Sequence, residues 1–194
     1  MSLASLAVAT CTKQPATRTT ETTASAQPAQ LPLTPACDDS DLTPSQTEGP
    51  YYTPDSPERT SLLEPGITGT TIILTGQVLS SNCAPIARAL VDVWHSDAEG
   101  EYDNVGYRLR GHQFTDDAGY YSLETIIPGL YPGRTRHFHV KVQAPNQPVL
   151  TTQLYFPEEP QNERDRLFQP ALLLAVQEID DGKQATFNFI LPAG

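Results

Sequence analysis

The sequence predicts an all-β protein, a largely antiparallel β-sandwich with long loops and a disordered N-terminal tail. Three observations carry that prediction. Short runs of apolar and β-branched residues recur with a period of two from residue 70 onward. Eighteen prolines and twelve glycines break these runs into turns. No internal repeat and no dinucleotide-binding glycine pattern points elsewhere. At 194 residues the chain has room for one domain with a real core and a tail beside it.

Taken in order, residues 1–11 are small and apolar and read as the end of an export signal that lacks its basic start. Cys11, following Val8, Ala9 and Thr10, is a candidate lipid-attachment site. Residues 12–36 are mostly Thr, Ala, Pro and Gln. With almost nothing apolar to bury, they cannot offset the entropy of ordering and are expected to be a flexible linker. The folded domain is expected over residues 37–194. It opens on a proline-punctuated segment that wraps the domain and contains Gly49, Pro50, Tyr51 and Tyr52. TIILTGQVLS and ALVDVWHS, joined by turn residues around Cys83, read as a hairpin. DAEGEYDNVGYRLRGHQ lacks periodicity and reads as a long loop, a length that usually serves a function. An Asp-Asp-Ala-Gly turn leads into YYSLETII, where Tyr120 and Tyr121 alternate so that one belongs to the core. After HFHVKV come the strand VLTTQLYF, a charged stretch NERDRLF suited to two helical turns before Pro170, and a last strand QATFNFIL.

Twelve Lys and Arg stand against twenty-three Asp and Glu, for a net charge of -11. That balance repels nucleic acid and anionic membrane surfaces, so neither is an expected partner. No run of eighteen apolar residues is present to span a bilayer. There is no CxxC to suggest zinc; Cys37, just ahead of the domain, and Cys83, in a turn, are placed to form a disulfide in an oxidising compartment. The expected location is therefore outside the cytoplasm: periplasmic, extracellular or lipid-anchored.

The stretch with the most chemistry is PGLYPGRTRHFHVKVQ. As a strand, it sends Phe138, Val140 and Val142 to one face and His137, His139 and Lys141 to the other. Strand rise leaves the two imidazoles about 7 Å apart at their backbones, close enough to converge on one ion. An isolated HxH also occurs where imidazoles only hydrogen-bond, so the neighbours decide. Tyrosines are present nearby and thiolates are not. Oxygen and imidazole donors favour a hard ion such as ferric iron over zinc, and a phenol ionises at neutral pH beside such a charge. Without a haem motif, this points to non-haem Fe(III). Two tyrosinates would leave one positive charge, suited to an anionic oxygen ligand such as a catecholate.

The segments TEGPYY, VDVWHSDAEGEY, TDDAGYYSLETIIPGLYPGRTRHFHVKV and TTQLYF, in this order over roughly residues 45–157, resemble the intradiol ring-cleavage dioxygenases, the family of protocatechuate 3,4-dioxygenase and catechol 1,2-dioxygenase. The resemblance implies a β-sandwich with iron at one end, held by Tyr102, Tyr131, His137 and His139. It places the family's active-site arginine at Arg134 and its glutamine at Gln153, and puts Trp94, Tyr51 and Tyr52 near the substrate pocket. The implied reaction uses O2 to cleave a catechol-type ring between its hydroxylated carbons, giving a cis,cis-muconate-type product. Substrate would displace the tyrosinate at Tyr131, which takes up a proton, while Arg134 stabilises negative charge on the ring and Gln153 orients substrate or arginine. Small, exported, single-domain members resemble this chain further in carrying cysteines where Cys37 and Cys83 stand. The turn between Tyr131 and His137 is shorter than in the protocatechuate enzymes, and the helical dimerisation region of the catechol enzymes has no counterpart, so ring substituent and oligomeric state stay open.

Neighbouring residues offer alternative assignments. Arg136 could replace Arg134, but alternation puts it on the opposite face. Tyr107 could replace Tyr102, against the spacing from Trp94. His95 and His112 read as structural or surface residues. The alternative function is a non-catalytic exported ligand-binding module. A metal-dependent hydrolase is disfavoured because no acidic residue stands beside HFH to act as base.

Overall fold

Residues 42–193 are described in the computed structural model of the chain. Their strands are β1 (Thr71–Ser80), β2 (Leu90–Trp94), β3 (Arg110–Phe114), β4 (Tyr120–Ile126), β5 (His137–Gln143), β6 (Leu150–Tyr155), β7 (Ala175–Ile179), β8 (Gly182–Thr186) and β9 (Phe189–Leu191). One sheet runs β4-β1-β8-β7, with β9 also on β1; the other runs β3-β2-β5-β6. β2, β3, β5 and β6 pair antiparallel, whereas β8 and β9 run parallel to β1. The result is the expected sandwich.

Alternation explains how the layers meet. Ile72, Leu74 and Val78 of β1 turn inward, as do Val91 and Val93 of β2 and Phe138, Val140 and Val142 of β5, and all are buried in one core. Burial of each such large side chain contributes about 1.5 to 3 kcal/mol. Tyr121 joins the core while Tyr120 is exposed, so the alternation of that pair holds.

Several expectations need correction. β1 and β2 are not a hairpin: they lie in different sheets. The turn at Cys83 starts one, with Ile86 N–H donating to Val78 O and a bridge between Leu79 and Pro85. The chain then leaves for the other sheet past Arg88, whose φ is 58°. A tight turn fixes only the residues beside it, and β2 is buried on both faces, which suits a central strand of the second sheet. The long loop ends sooner than its polar text suggests, because Arg110 and His112 belong to β3. The last strand is interrupted between β8 and β9, and β7 went unread. NERDRLF forms no two-turn helix; a single 3-10 turn, Pro160–Glu163, takes in only its first two residues.

The proline-rich segment before β1 positions the site. Gln46 N–H donates to Thr151 O at the β6 edge of the second sheet, and Arg59 N–H donates to His112 O at its β3 edge. Residues 46–59 therefore cross the outer face of that sheet from edge to edge. They cover the side chains that β2 and β5 turn away from the core. The segments expected as signal and linker, together with Cys11 and Cys37, lie outside the described residues. Cys83 is disulfide-bonded.

Candidate metal centre

The centre lies between the outer face of β5 and this crossing strap. Pairing puts Trp94 opposite His139 on one side and Gln153 opposite His139 on the other, with Tyr155 opposite His137. Nε2 of His137 stands 3.1 Å from Nε2 of His139 and 3.4 Å from the Tyr102 hydroxyl. The Nδ1–H of His137 donates to Thr135 O at 2.6 Å, which leaves the Nε2 lone pair directed at the cluster. Two donors about 2.1 Å from a shared ion and near right angles across it stand about 3 Å apart, so the spacing fits a common cation. No group of three or more His, Cys, Asp and Glu side chains suited to a metal exists among the described residues. The further donors in reach are phenols.

Two loops deliver those phenols, and glycine explains their approach. Gly100 and Gly129 each sit two residues before a tyrosine. A Cβ at Gly100 would lie 2.3 Å from Leu130 O, and one at Gly129 would lie 2.4 Å from the Gly100 nitrogen. Only glycine permits that backbone contact, and Gly129 N–H also donates to Asp97 O. The rings of Tyr102 and Tyr131 consequently lie 6.0 Å apart, edge to face. Arg110, almost wholly buried, fixes the first loop to the strap by donating to Asp103 O and to Tyr51 O.

Tyr51 and Tyr52 divide, as neighbours on an extended strap must. Tyr51 stacks on Tyr102 with ring centroids 4.5 Å apart, and its hydroxyl lies 2.7 Å from that of Tyr131. Tyr52 turns away, tilts onto Trp94 and donates to buried Asp92 at 3.2 Å. Burial, with the Asp92 charge beside it, pushes the Tyr52 phenol up to about 12. Trp94 is 1% exposed and lies flat against His139, 4.9 Å between centroids and 10° between planes. It packs behind the imidazole, with no surface open to a ligand. Gly49 allows the strap to pass over this ring, since a Cβ there would already meet His139 Cε1 at 3.3 Å.

Arg134 and Arg136 point to different places. Arg134 donates through Nε to Asp165 at 2.8 Å and through a terminal nitrogen to Gln153 Oε1 at 2.5 Å. Gln153 is buried and spends its amide N–H on Thr47 O of the strap, so its hydrogen bonds hold the arginine. Arg136 instead pairs with Glu159 and donates to Pro128 O.

The electrostatics suit cation binding. Burial foremost, then the Arg134 charge, lowers His137 to about 4; burial and the neighbouring His137 and Arg134 lower His139 well below its ordinary value. Both imidazoles are neutral at pH 7, the form that ligates. Burial raises the Tyr102 phenol against the pull of Arg134 and Arg110. It ionises at neutral pH only when a stronger positive charge stands beside it. Burial also pushes the Asp165 carboxyl up, but N–H donors of Leu167 and Thr135 together with Arg134 outweigh it and hold the group below the usual carboxylate range.

Sequence reading missed Arg110, Thr135 and Asp165. A lone arginine at a strand start or an aspartate in a charged run carries no spacing signal; only the fold shows what each one touches.

Comparison with known proteins agrees with this picture. The profile of a family described as Dioxygenase matches residues 47–192. A catechol 1,2-dioxygenase of Candida albicans is 30% identical in an alignment of 164 positions that covers 70% of this chain and 54% of that protein. The chain thus spans about half the length of that relative. The dioxygenase domain of a dioxygenase carbohydrate-binding protein fusion from Streptomyces sp. SirexAA-E superposes with a TM-score of 0.78 at 52% identity, covering 79% of this chain and all of that one. A 3-chlorocatechol 1,2-dioxygenase of Rhodococcus opacus 1CP gives 0.73 at 28% identity, over 78% of this chain and 73% of that one. With its sandwich, its paired imidazoles and its two tyrosine loops, the chain belongs to the intradiol ring-cleavage dioxygenase family.

Proposed function

We propose that the protein is a non-haem ferric dioxygenase that cleaves a catechol-type ring between its two hydroxylated carbons. Both atoms of O2 enter the product, a cis,cis-muconate-type diacid, so that catechol and one O2 account for all of its atoms. One observation carries the reading: two imidazole nitrogens and a half-buried phenol oxygen meet within 3.1 and 3.4 Å, with no group of three or more His, Cys, Asp and Glu suited to a metal among the described residues. His137, His139, Tyr102 and Tyr131 would hold the iron. When bound, ferric iron supplies Lewis acidity that favours the substrate dianion and draws electron density from its ring.

The protein's own groups do the rest. The Tyr131 oxygen takes up one substrate hydroxyl proton, and the Tyr51 hydroxyl, 2.7 Å away, keeps that oxygen hydrogen-bonded. Tyr51 also flanks the Tyr102 ring and limits its swing. Arg134, clamped by Asp165 and Gln153, presents a fixed positive charge to negative charge developing on the ring, a role commonly worth about 3 to 4 kcal/mol. The strap excludes water from the outer face of β5, which strengthens that interaction.

Relatives named for catechol, hydroxyquinol, chlorocatechol and protocatechuate support a catechol-type substrate. The disulfide at Cys83 supports a working place outside the cytoplasm. The test is to load the purified protein with ferric iron, record its visible spectrum, and follow oxygen uptake with catechol, protocatechuate, hydroxyquinol and chlorinated catechols. A tyrosinate-to-iron absorption band and uptake of one O2 per ring are expected. A colourless protein that consumes no oxygen would instead be a ligand-binding module.

A further inference from the structure

The buried carboxylate of Asp165 touches none of the four candidate iron ligands, yet it joins the two parts of the site that have to be held in register. Its side chain is 1% exposed. Oδ2 accepts from Arg134 Nε at 2.8 Å and from the Thr135 backbone N–H at 2.9 Å, so one oxygen holds the arginine and the next peptide together. That residue's carbonyl accepts the Nδ1–H of His137 at 2.6 Å. Oδ1 accepts from Leu167 N–H at 2.9 Å, and Leu167 O in turn accepts from Tyr155 and from Gln46 of the strap. The carboxylate itself is presented by the 3-10 turn Pro160–Glu163, through Asp165 N–H donating to Gln161 O. Both carboxylate oxygens accept from donors on other segments, which ties the arginine, the Thr135 backbone and the loop at Leu167 to one buried group.

We infer that Asp165 is the positioning residue of the site: a single carboxylate that aims the Arg134 guanidinium and, through the Thr135 peptide, orients the His137 imidazole. The role has two separable arms. Loss of the arginine arm slows turnover and leaves iron in place. Loss of the peptide arm loosens His137 and weakens iron binding, since partners that orient a ligating imidazole are typically worth about 10- to 100-fold in metal affinity or activity.

The inference rests on the ferric dioxygenase reading, so wild-type protein is measured first for iron binding in competition with a chelator and for oxygen uptake with catechol. Asp165→Asn, close in size, is then compared with Arg134→Ala and with the double variant. Asp165→Asn should lower kcat about 10- to 100-fold with a smaller change in KM, and lower iron affinity about 10-fold. Arg134→Ala should lower kcat with iron affinity unchanged. In the double variant, kcat should fall no further than in Arg134→Ala, while iron affinity matches Asp165→Asn, because the carboxylate acts on turnover through the arginine. Asp165→Glu keeps the charge and moves it by one methylene; it should also lose turnover, and it serves if Asp165→Asn fails to fold. Wild-type turnover and iron affinity in the Asp165 variants, or kcat losses that multiply in the double variant, would overturn the role of Asp165 alone. A wild-type protein that binds no iron and consumes no oxygen overturns the proposed function, and this inference with it.

Discussion

Three buried histidines on the second sheet have come to opposite fates. His95, just past β2, faces inward and packs edge-on against Phe138 at 5.0 Å. Its Nδ1 bonds Ser96 O and its Nε2 bonds Thr125 Oγ1, each at 2.7 Å, so both nitrogens are satisfied. His137 and His139 face outward, beneath the strap, and their Nε2 atoms are aimed at each other and at a phenol. Nδ1 of His139 has no hydrogen-bond partner among the described residues. Burial is nearly the same for all three. What separates the structural imidazole from the two candidate ligands is where the second nitrogen points, and that is set by the face of the strand.

The largest test of this difference is to remove the outward pair. His137→Ala with His139→Ala should weaken iron binding by more than about 100-fold, beyond the range for losing only a ligand's hydrogen-bond partner, and abolish oxygen uptake. The circular dichroism spectrum should stay that of the wild type, because the core lies on the other face. Between those two histidines, Phe138→Ala should do the reverse. Removing a fully buried ring from the core should cost about 3 to 5 kcal/mol in urea unfolding, while the ligand set remains.

Acid sharpens the comparison further. Burial lowers His95 to about 4, so the unfolded chain, titrating near 6.5, takes up its proton first. Stability is then full above about pH 6.5 and falls as the pH drops toward 4, by about 3 kcal/mol for His95 alone. Below that the folded form is protonated too, and the loss levels off. His137 and His139 shift in the same direction and add to this fall in the iron-free protein; bound iron also keeps its phenol ligands unprotonated, so the iron-loaded form should be the more stable at pH 7 and lose stability more steeply as the pH drops. Unfolding midpoints of the iron-free and iron-loaded forms between pH 7 and pH 5 check the sign. The smallest effect is expected from Tyr51→Phe. Loss of its hydroxyl takes one hydrogen bond from Tyr131, about 1 kcal/mol, and should displace the visible band of the ferric protein without releasing the metal.

Much of this arrangement was legible before any coordinates. HFHVKV shows its two faces by alternation, and the spacing of Trp94, Tyr102 and Tyr131 against the histidines carried the family resemblance. The β1–β2 hairpin misled because a turn signal near Cys83 says that the chain reverses, without saying which sheet it joins next. Tyr51 and Tyr52 were inseparable as text. The strap had to be laid across the sheet before one met Tyr131 and the other Asp92.

The linear chain determined by itself the sandwich, the strand that bears paired imidazoles and the residue types suited to a hard cation. These follow from local periodicity and donor chemistry, which reside in neighbouring residues. Only tertiary structure decided that Gly100 and Gly129 clasp two tyrosine loops together, that the strap roofs the outer face, and that Asp165 reaches both Arg134 and the Thr135 peptide. Those contacts join residues from about thirty to more than a hundred positions apart, and the pairing energy of such residues leaves no pattern in either segment alone.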